Sequence, residues 1–124
     1  PRLLVFGGYG SGNFPPPLNS LERYDPSTSA WEMEATAPMT TARRDGAVAM
    51  LDGKLYVVGG LNLTSGEPSN AVERYDWATK SWEAVAPLAW AREDLGVAVL
   101  DGKLYAVGGN NADEVGLSSV ERYD

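Results

Sequence analysis

The chain has 124 residues, the length of one ordinary domain with a buried core, and carries 17 Asp and Glu against 10 Lys and Arg, a formal charge of −7. That acidic balance argues against a nucleic-acid binder, which would show a basic face, and no apolar run reaches the roughly 18 residues of a membrane span. Cysteine and histidine are both absent, which excludes disulfides, thiolate metal sites and a Cys nucleophile, and removes the commonest metal ligand and general base.

In chain order, the opening "PRLLVFGG" reads as a short apolar strand ending in a glycine pair. After a loop, "SLERYD" alternates apolar and charged residues, as a strand with one buried face does. "PSTSA" turns the chain into "WEMEA", which closes at Pro38. "TTARRD" then leads to "GAVAML", a small-residue apolar run suited to a tightly packed strand. Asp52-Gly53 follows, a hairpin dipeptide whose two central positions need positive φ. Next come "KLYVVGG", a loop, "AVERYD", the turn "WATKS", and "WEAVA", closing at Pro87. The series then restarts with "AWARED", "GVAVL", Asp101-Gly102, "KLYAVGG", a loop and "SVERYD".

The chain is therefore built of repeats. The glycine pairs begin at Gly7, Gly59 and Gly108, giving periods of 52 and 49 residues. No segment carries an apolar stripe at helical spacing, so the expected class is all-β. A four-stranded antiparallel unit of about 50 residues matches a propeller blade, nearer the kelch period than the shorter WD period.

The double glycine, the Tyr beside Glu-Arg, the Trp six residues after the Asp and the "LDGKLY" hairpin together resemble kelch repeats, in register over the whole chain. The resemblance implies a β-propeller, usually of six blades, with strands a to d running outward from a central channel. Residues 1–38 then supply strands b to d of one blade, 39–87 a complete blade, and 88–124 strands a to c of a third. That is two and a half blades, so the chain is expected to be a propeller fragment that self-associates or frays at its ends.

Length varies between copies in two places only. From the glycine pair to the Glu of "ERYD" the spacing is 14, 13 and 12 residues, and from Trp to Pro it is seven and then five. In the family's topology these b–c loops and d–a connections open on one face, where variation over a fixed scaffold marks a binding surface. Its candidate contacts are Tyr9, Phe14, Asn62, Arg43, Arg44, Trp90, Arg92, Glu93, Asn110 and Asp113; Tyr, Trp and Arg are types enriched at hot spots. Arg43 and Arg92 share one repeat position, each followed by x-Asp, and so also read as scaffold ion pairs with Asp45 and Asp94. Trp31, Trp82, Tyr24, Tyr75 and Tyr123 recur and read as core aromatics between blades.

Three local patterns are set aside. "GGYGSG" lacks the Gly-Lys-Ser/Thr ending of a phosphate loop and runs into "NFPPP", where no helix can start. "NNADE" lacks the spaced acidic ligands of a calcium loop. Asn62-Leu63-Thr64 is a glycosylation sequon that matters only in a secreted protein.

The resemblance implies a cytoplasmic protein-binding module without a cofactor, taking a protein partner or peptide degron. It implies further a substrate receptor of a cullin-type ubiquitin ligase, acting through domains outside this sequence, or an actin binder. The alternative is part of a propeller enzyme, such as a galactose-oxidase-like or sialic-acid-epimerase-like protein. Oxidase chemistry uses His ligands and a Cys-linked Tyr, none of which these residues supply.

Overall fold

The computed structural model describes residues 3–7, 20–33, 38–113 and 116–124. Thirteen strands and no helix occur among them: β1 (Leu3–Phe6), β2 (Leu21–Asp25), β3 (Ala30–Met33), β4 (Arg43–Arg44), β5 (Ala47–Leu51), β6 (Lys54–Val58), β7 (Leu61–Asn62), β8 (Glu67–Pro68), β9 (Val72–Asp76), β10 (Ser81–Val85), β11 (Gly96–Leu100), β12 (Lys103–Val107) and β13 (Val120–Tyr123).

They form three antiparallel sheets in sequence: β1-β2-β3, then β5-β6-β9-β10, then β11-β12-β13. The hairpins turn where the sequence places them. Asp52 and Gly53 have φ of 50° and 75°, and Asp101 and Gly102 have 49° and 71°, the paired positive values that a two-residue hairpin with right-handed strand twist requires. A fourth, miniature sheet, β4-β7-β8, is not legible in the sequence and is taken up below.

Alternation along β6 sorts the core. Leu55 packs with Leu21, Tyr75, Leu4, Trp77 and Trp82 on the side of the first sheet. Tyr56 and Val58 face the other way, and pack with Leu51, Val72, Leu95, Leu104 and Ala106 in the seam to the third sheet. The central strands β6 and β9 of the middle sheet are thus buried on both faces, and each seam is filled by side chains of two successive repeats. Backbone bonds stitch the second seam as well: Gly60 donates to the Arg92 carbonyl at 2.7 Å, Arg92 to Ser69 at 3.0 Å, and Leu88 to Asn70 at 2.8 Å.

Each letter of "ERYD" has a separate task. The Glu binds the arginine of the d–a connection: Arg43 Nη2 lies 2.5 Å from Glu73 Oε2, and Arg92 Nε lies 3.0 Å from Glu121 Oε2. The Arg pairs across the sheet with the Glu after the Trp, as Arg23 does with Glu32 and Arg74 with Glu83. The Tyr packs beside the Trp, with ring centroids 5.3 Å apart for Tyr24–Trp31 and 5.2 Å for Tyr75–Trp82. The Asp caps the next turn: Asp25 Oδ1 accepts from the Ser27 amide at 2.8 Å, and Asp76 Oδ1 from the Ala78 amide at 2.8 Å.

One expectation needs correction here. Asp45 and Asp94 are not the partners of Arg43 and Arg92. Both sit at positive φ, 56° and 54°, a conformation that Asp tolerates better than most residues, and Asp94 N–H donates to the Asp45 carbonyl at 2.8 Å. The recurring Asp thus shapes the entry to the inner strand. Of the repeated aromatics, Tyr75 is buried with Trp82 half-buried against it, and Trp31 packs beside Tyr24 on the face of the first sheet that has no repeat opposite it in this chain.

Candidate partner-binding face

The miniature sheet defines the face. β4 belongs to the d–a connection and β7 and β8 to the b–c loop of the middle repeat, with Arg43 opposite Asn62, Arg44 opposite Leu61, and Leu61 opposite Pro68. In the third repeat the same pairing survives as a bridge between Glu93 and Asn110, whose backbone amides and carbonyls exchange two bonds of 2.9 Å. The connection and the loop of the middle and third repeats are therefore each one hydrogen-bonded unit, at the opposite end of the strands from the Asp-Gly hairpins.

The candidate residues divide by burial. Arg43 and Arg92 are buried and their guanidiniums are spent inside. Arg43 Nη1 donates to the carbonyls of Gly59 at 3.0 Å and Ala71 at 3.1 Å. Arg92 Nη1 donates to Gly108 and Ser119, both at 2.9 Å. These two arginines tie strand ends together, and neither presents its charged head on the surface, which corrects their place among the candidate contacts. Burying a cation is costly unless it is paired; the Glu of "ERYD" supplies the pairing, while Arg43 Nε is left without a hydrogen-bond partner.

Asn62 and Asn110 hold their own loops. Asn62 Oδ1 accepts from the amides of Thr64 at 2.9 Å and Ser65 at 3.2 Å. Asn110 Oδ1 accepts from Gly116 at 2.8 Å. Asp113 is exposed, with its amide bonded to Asn111 Oδ1 at 2.9 Å. Arg44 is exposed and pairs with Asp45 at 3.3 Å, while Glu93 is half-buried. Tyr9 and Phe14 lie outside the described residues.

Trp90 stands apart. Its indole is 59% exposed, beside a depression that it lines with Leu117, Ser118 and Ser119. Its backbone is nonetheless held: the Ala89 amide reaches Glu121 Oε1 at 2.5 Å and the Trp90 amide reaches Oε2 at 3.3 Å. The carboxylate that pairs with Arg92 thus also clamps the segment carrying the exposed indole. In the middle repeat Glu73 does the same for Thr40, at 2.7 Å, and the position of Trp90 is taken by Thr41. Among the described residues no cluster of three or more His, Cys, Asp or Glu is arranged to hold a metal ion.

Comparison with known proteins follows the repeat. The family model described as "Kelch motif" matches residues 1–38, 42–89 and 91–124.

The chain belongs to the kelch-motif family.

Its all-β propeller class follows from the matched repeats together with the antiparallel sheets. Similar curated proteins include the mouse influenza virus NS1A-binding protein homolog, 43% identical over 49% of this chain. Human Kelch-like protein 35 is 41% identical over 48% of it, and mouse Kelch-like protein 28 is 43% identical over 66%. The matched stretches make up 9%, 9% and 14% of those proteins, so this chain spans a small part of their length.

Proposed function

We propose that this kelch chain is part of a protein-binding propeller that engages its partner through the d–a connections and b–c loops, with Trp90 as the anchor and Arg44, Glu93 and Asp113 as further contacts. The observation that carries this reading is the combination at Trp90 of an exposed indole and a clamped backbone. A large amphipathic side chain on a pre-ordered segment contributes contact area at low entropic cost. The position also differs between repeats, as expected of a residue chosen for a ligand rather than for the scaffold. The name of one relative, an NS1A-binding protein homolog, fits a module whose work is to hold another protein. The specific form of the reading is a substrate receptor for a cullin-type ligase, with the degron on this face.

The test is affinity capture from cells with the whole protein, comparing wild type with Trp90→Ala, Arg44→Ala and a control, Thr79→Ala, in an exposed turn at the hairpin end. Partners retained by wild type and control but lost with Trp90→Ala, at unchanged melting temperature, support the reading. An identical partner set and affinity in all four proteins contradicts it. If the degron form is right, the lost partners also accumulate in cells carrying Trp90→Ala.

A further inference from the structure

The depression beside Trp90 is not peculiar to the last repeat. The middle repeat has one at the corresponding place, lined by Thr41, Asn70 and Ala71 where the third has Trp90, Ser118 and Ser119. The following connection is bonded directly to that wall, Leu88 N–H donating to the Asn70 carbonyl at 2.8 Å. The middle depression therefore stays open with a following repeat in place. Each lies where a d–a connection meets a b–c loop, at the strand ends rather than in the seam between sheets. The largest change between the two is Thr41, half-buried, against the exposed indole of Trp90.

Charge decides what suits that indole. Among the described residues, the connections and b–c loops of the middle and third repeats carry Asp45, Glu67, Glu93, Asp94 and Asp113, all exposed except half-buried Glu93. Against these carboxylates stands the surface cation Arg44, which already pairs with Asp45. Arg43 and Arg92 add no charge outward, because each is buried and bound to a glutamate of its own. Two of the carboxylates belong to the segments that form the Trp90 depression. Glu93 follows Trp90 by three residues on the same connection, and its backbone bridges to Asn110. Asn110 heads the loop that passes Asp113 and ends at Leu117–Ser119, the other wall. The face of an indole attracts a cation through its ring quadrupole, and carboxylates on the same surface favour a cationic partner and repel an acidic one. We propose that the residue seated at Trp90 is a lysine or arginine, presented by a basic segment of another protein. The inference rests on the protein-binding reading of this face and names the chemistry that the face selects.

The test selects peptides from a random dodecapeptide display library on the whole protein, and sets aside those still captured by Trp90→Ala. The remaining, Trp90-dependent peptides are predicted to be enriched in Lys and Arg and depleted of Asp and Glu. The strongest is then synthesised and titrated by fluorescence anisotropy. Glu93→Gln with Asp113→Asn should weaken it by about tenfold. A charge-matched control, Asp52→Asn with Asp101→Asn, alters exposed hairpin residues at the opposite end of the strands. Asn tolerates the positive φ there, and the control should change affinity by less than about twofold. Melting temperatures check that every variant folds. Trp90-dependent peptides that are acidic or uncharged overturn the proposal and leave the protein-binding reading standing. Equal weakening by both double variants also overturns it, since bulk charge then explains the attraction. A selection that yields no Trp90-dependent peptide overturns both the proposal and the reading of Trp90 as an anchor.

Discussion

Gly59 and Gly108 close the same strand in successive repeats, with φ of 61° and 65°, yet their surroundings differ. A Cβ on Gly59 would come 2.5 Å from the carbonyl oxygen of Arg92 in the following repeat, whereas one on Gly108 would meet only the Leu117 carbonyl, at 3.4 Å. The backbone conformation is set within the repeat. The absence of a side chain at Gly59 is demanded by the neighbour. The same contrast separates Leu51, Val58 and Val72, buried in the middle sheet, from Leu100, Val107 and Val120, exposed in the third. A kelch repeat carries two kinds of signal, one for folding its own sheet and one for meeting the next, and only a covered copy shows the second.

The predictions that sharpen this contrast begin with the buried ion pair. Arg43→Ala leaves Glu73 buried without its cation and should cost about 3–5 kcal/mol in urea unfolding. Arg23→Ala, which breaks the partly exposed pair with Glu32, should cost no more than about 1 kcal/mol. Equal costs would show that burial of the d–a arginine does not matter.

Gly59→Val should cost about 3 kcal/mol or more, combining backbone strain and overlap with Arg92. Gly108→Val should cost only the ~1–2 kcal/mol of a left-handed residue. If both variants have the same denaturant midpoint, the seam does not set the glycine.

Leu51→Ala should cost roughly 2–4 kcal/mol as a buried truncation. Leu100→Ala, exposed in this chain, should stay within about 0.5 kcal/mol. Comparable losses at both would mean that the third sheet is covered in solution.

The smallest effect concerns acid. The Ser27 hydroxyl and amide hold the Asp25 carboxyl below its ordinary value, and the Ala78 amide does so for Asp76. A value lowered in the folded state gives stability that is present above about pH 4, the unfolded value, and lost as pH falls through the lowered one. Asp76→Asn should therefore flatten the acid limb of the stability curve, and an unchanged acid slope would count against the turn cap.

Most of the fold was legible because it rests on local chemistry. Asp52-Gly53 names its turn, the alternation in "AVERYD" names its buried face, and the loop and connection that vary together do lie together. Partner choice was not legible. Arg43 finds Glu73, thirty positions away in sequence, rather than nearby Asp45, and no spacing rule reveals that. Asn62 and Asn110 lie in variable loops, and no spacing rule reveals that their side-chain oxygens accept from the loops' own amides. Trp31 and Trp82 hold the same repeat position and differ in exposure, because exposure depends on which repeat stands opposite. The clamp of Glu121 on Trp90 had a faint signal, since "ERYD" and the connection recur together.

Native-state hydrogen exchange on the chain, at a concentration where it is monomeric, tests the central claim most directly. If a repeat is stabilised by neighbours on both faces, amides of β6 and β9 should exchange only through global unfolding, and those of β1 and β13 through smaller openings. Uniform protection across all three sheets would contradict it, and would show that each sheet holds together without its neighbours.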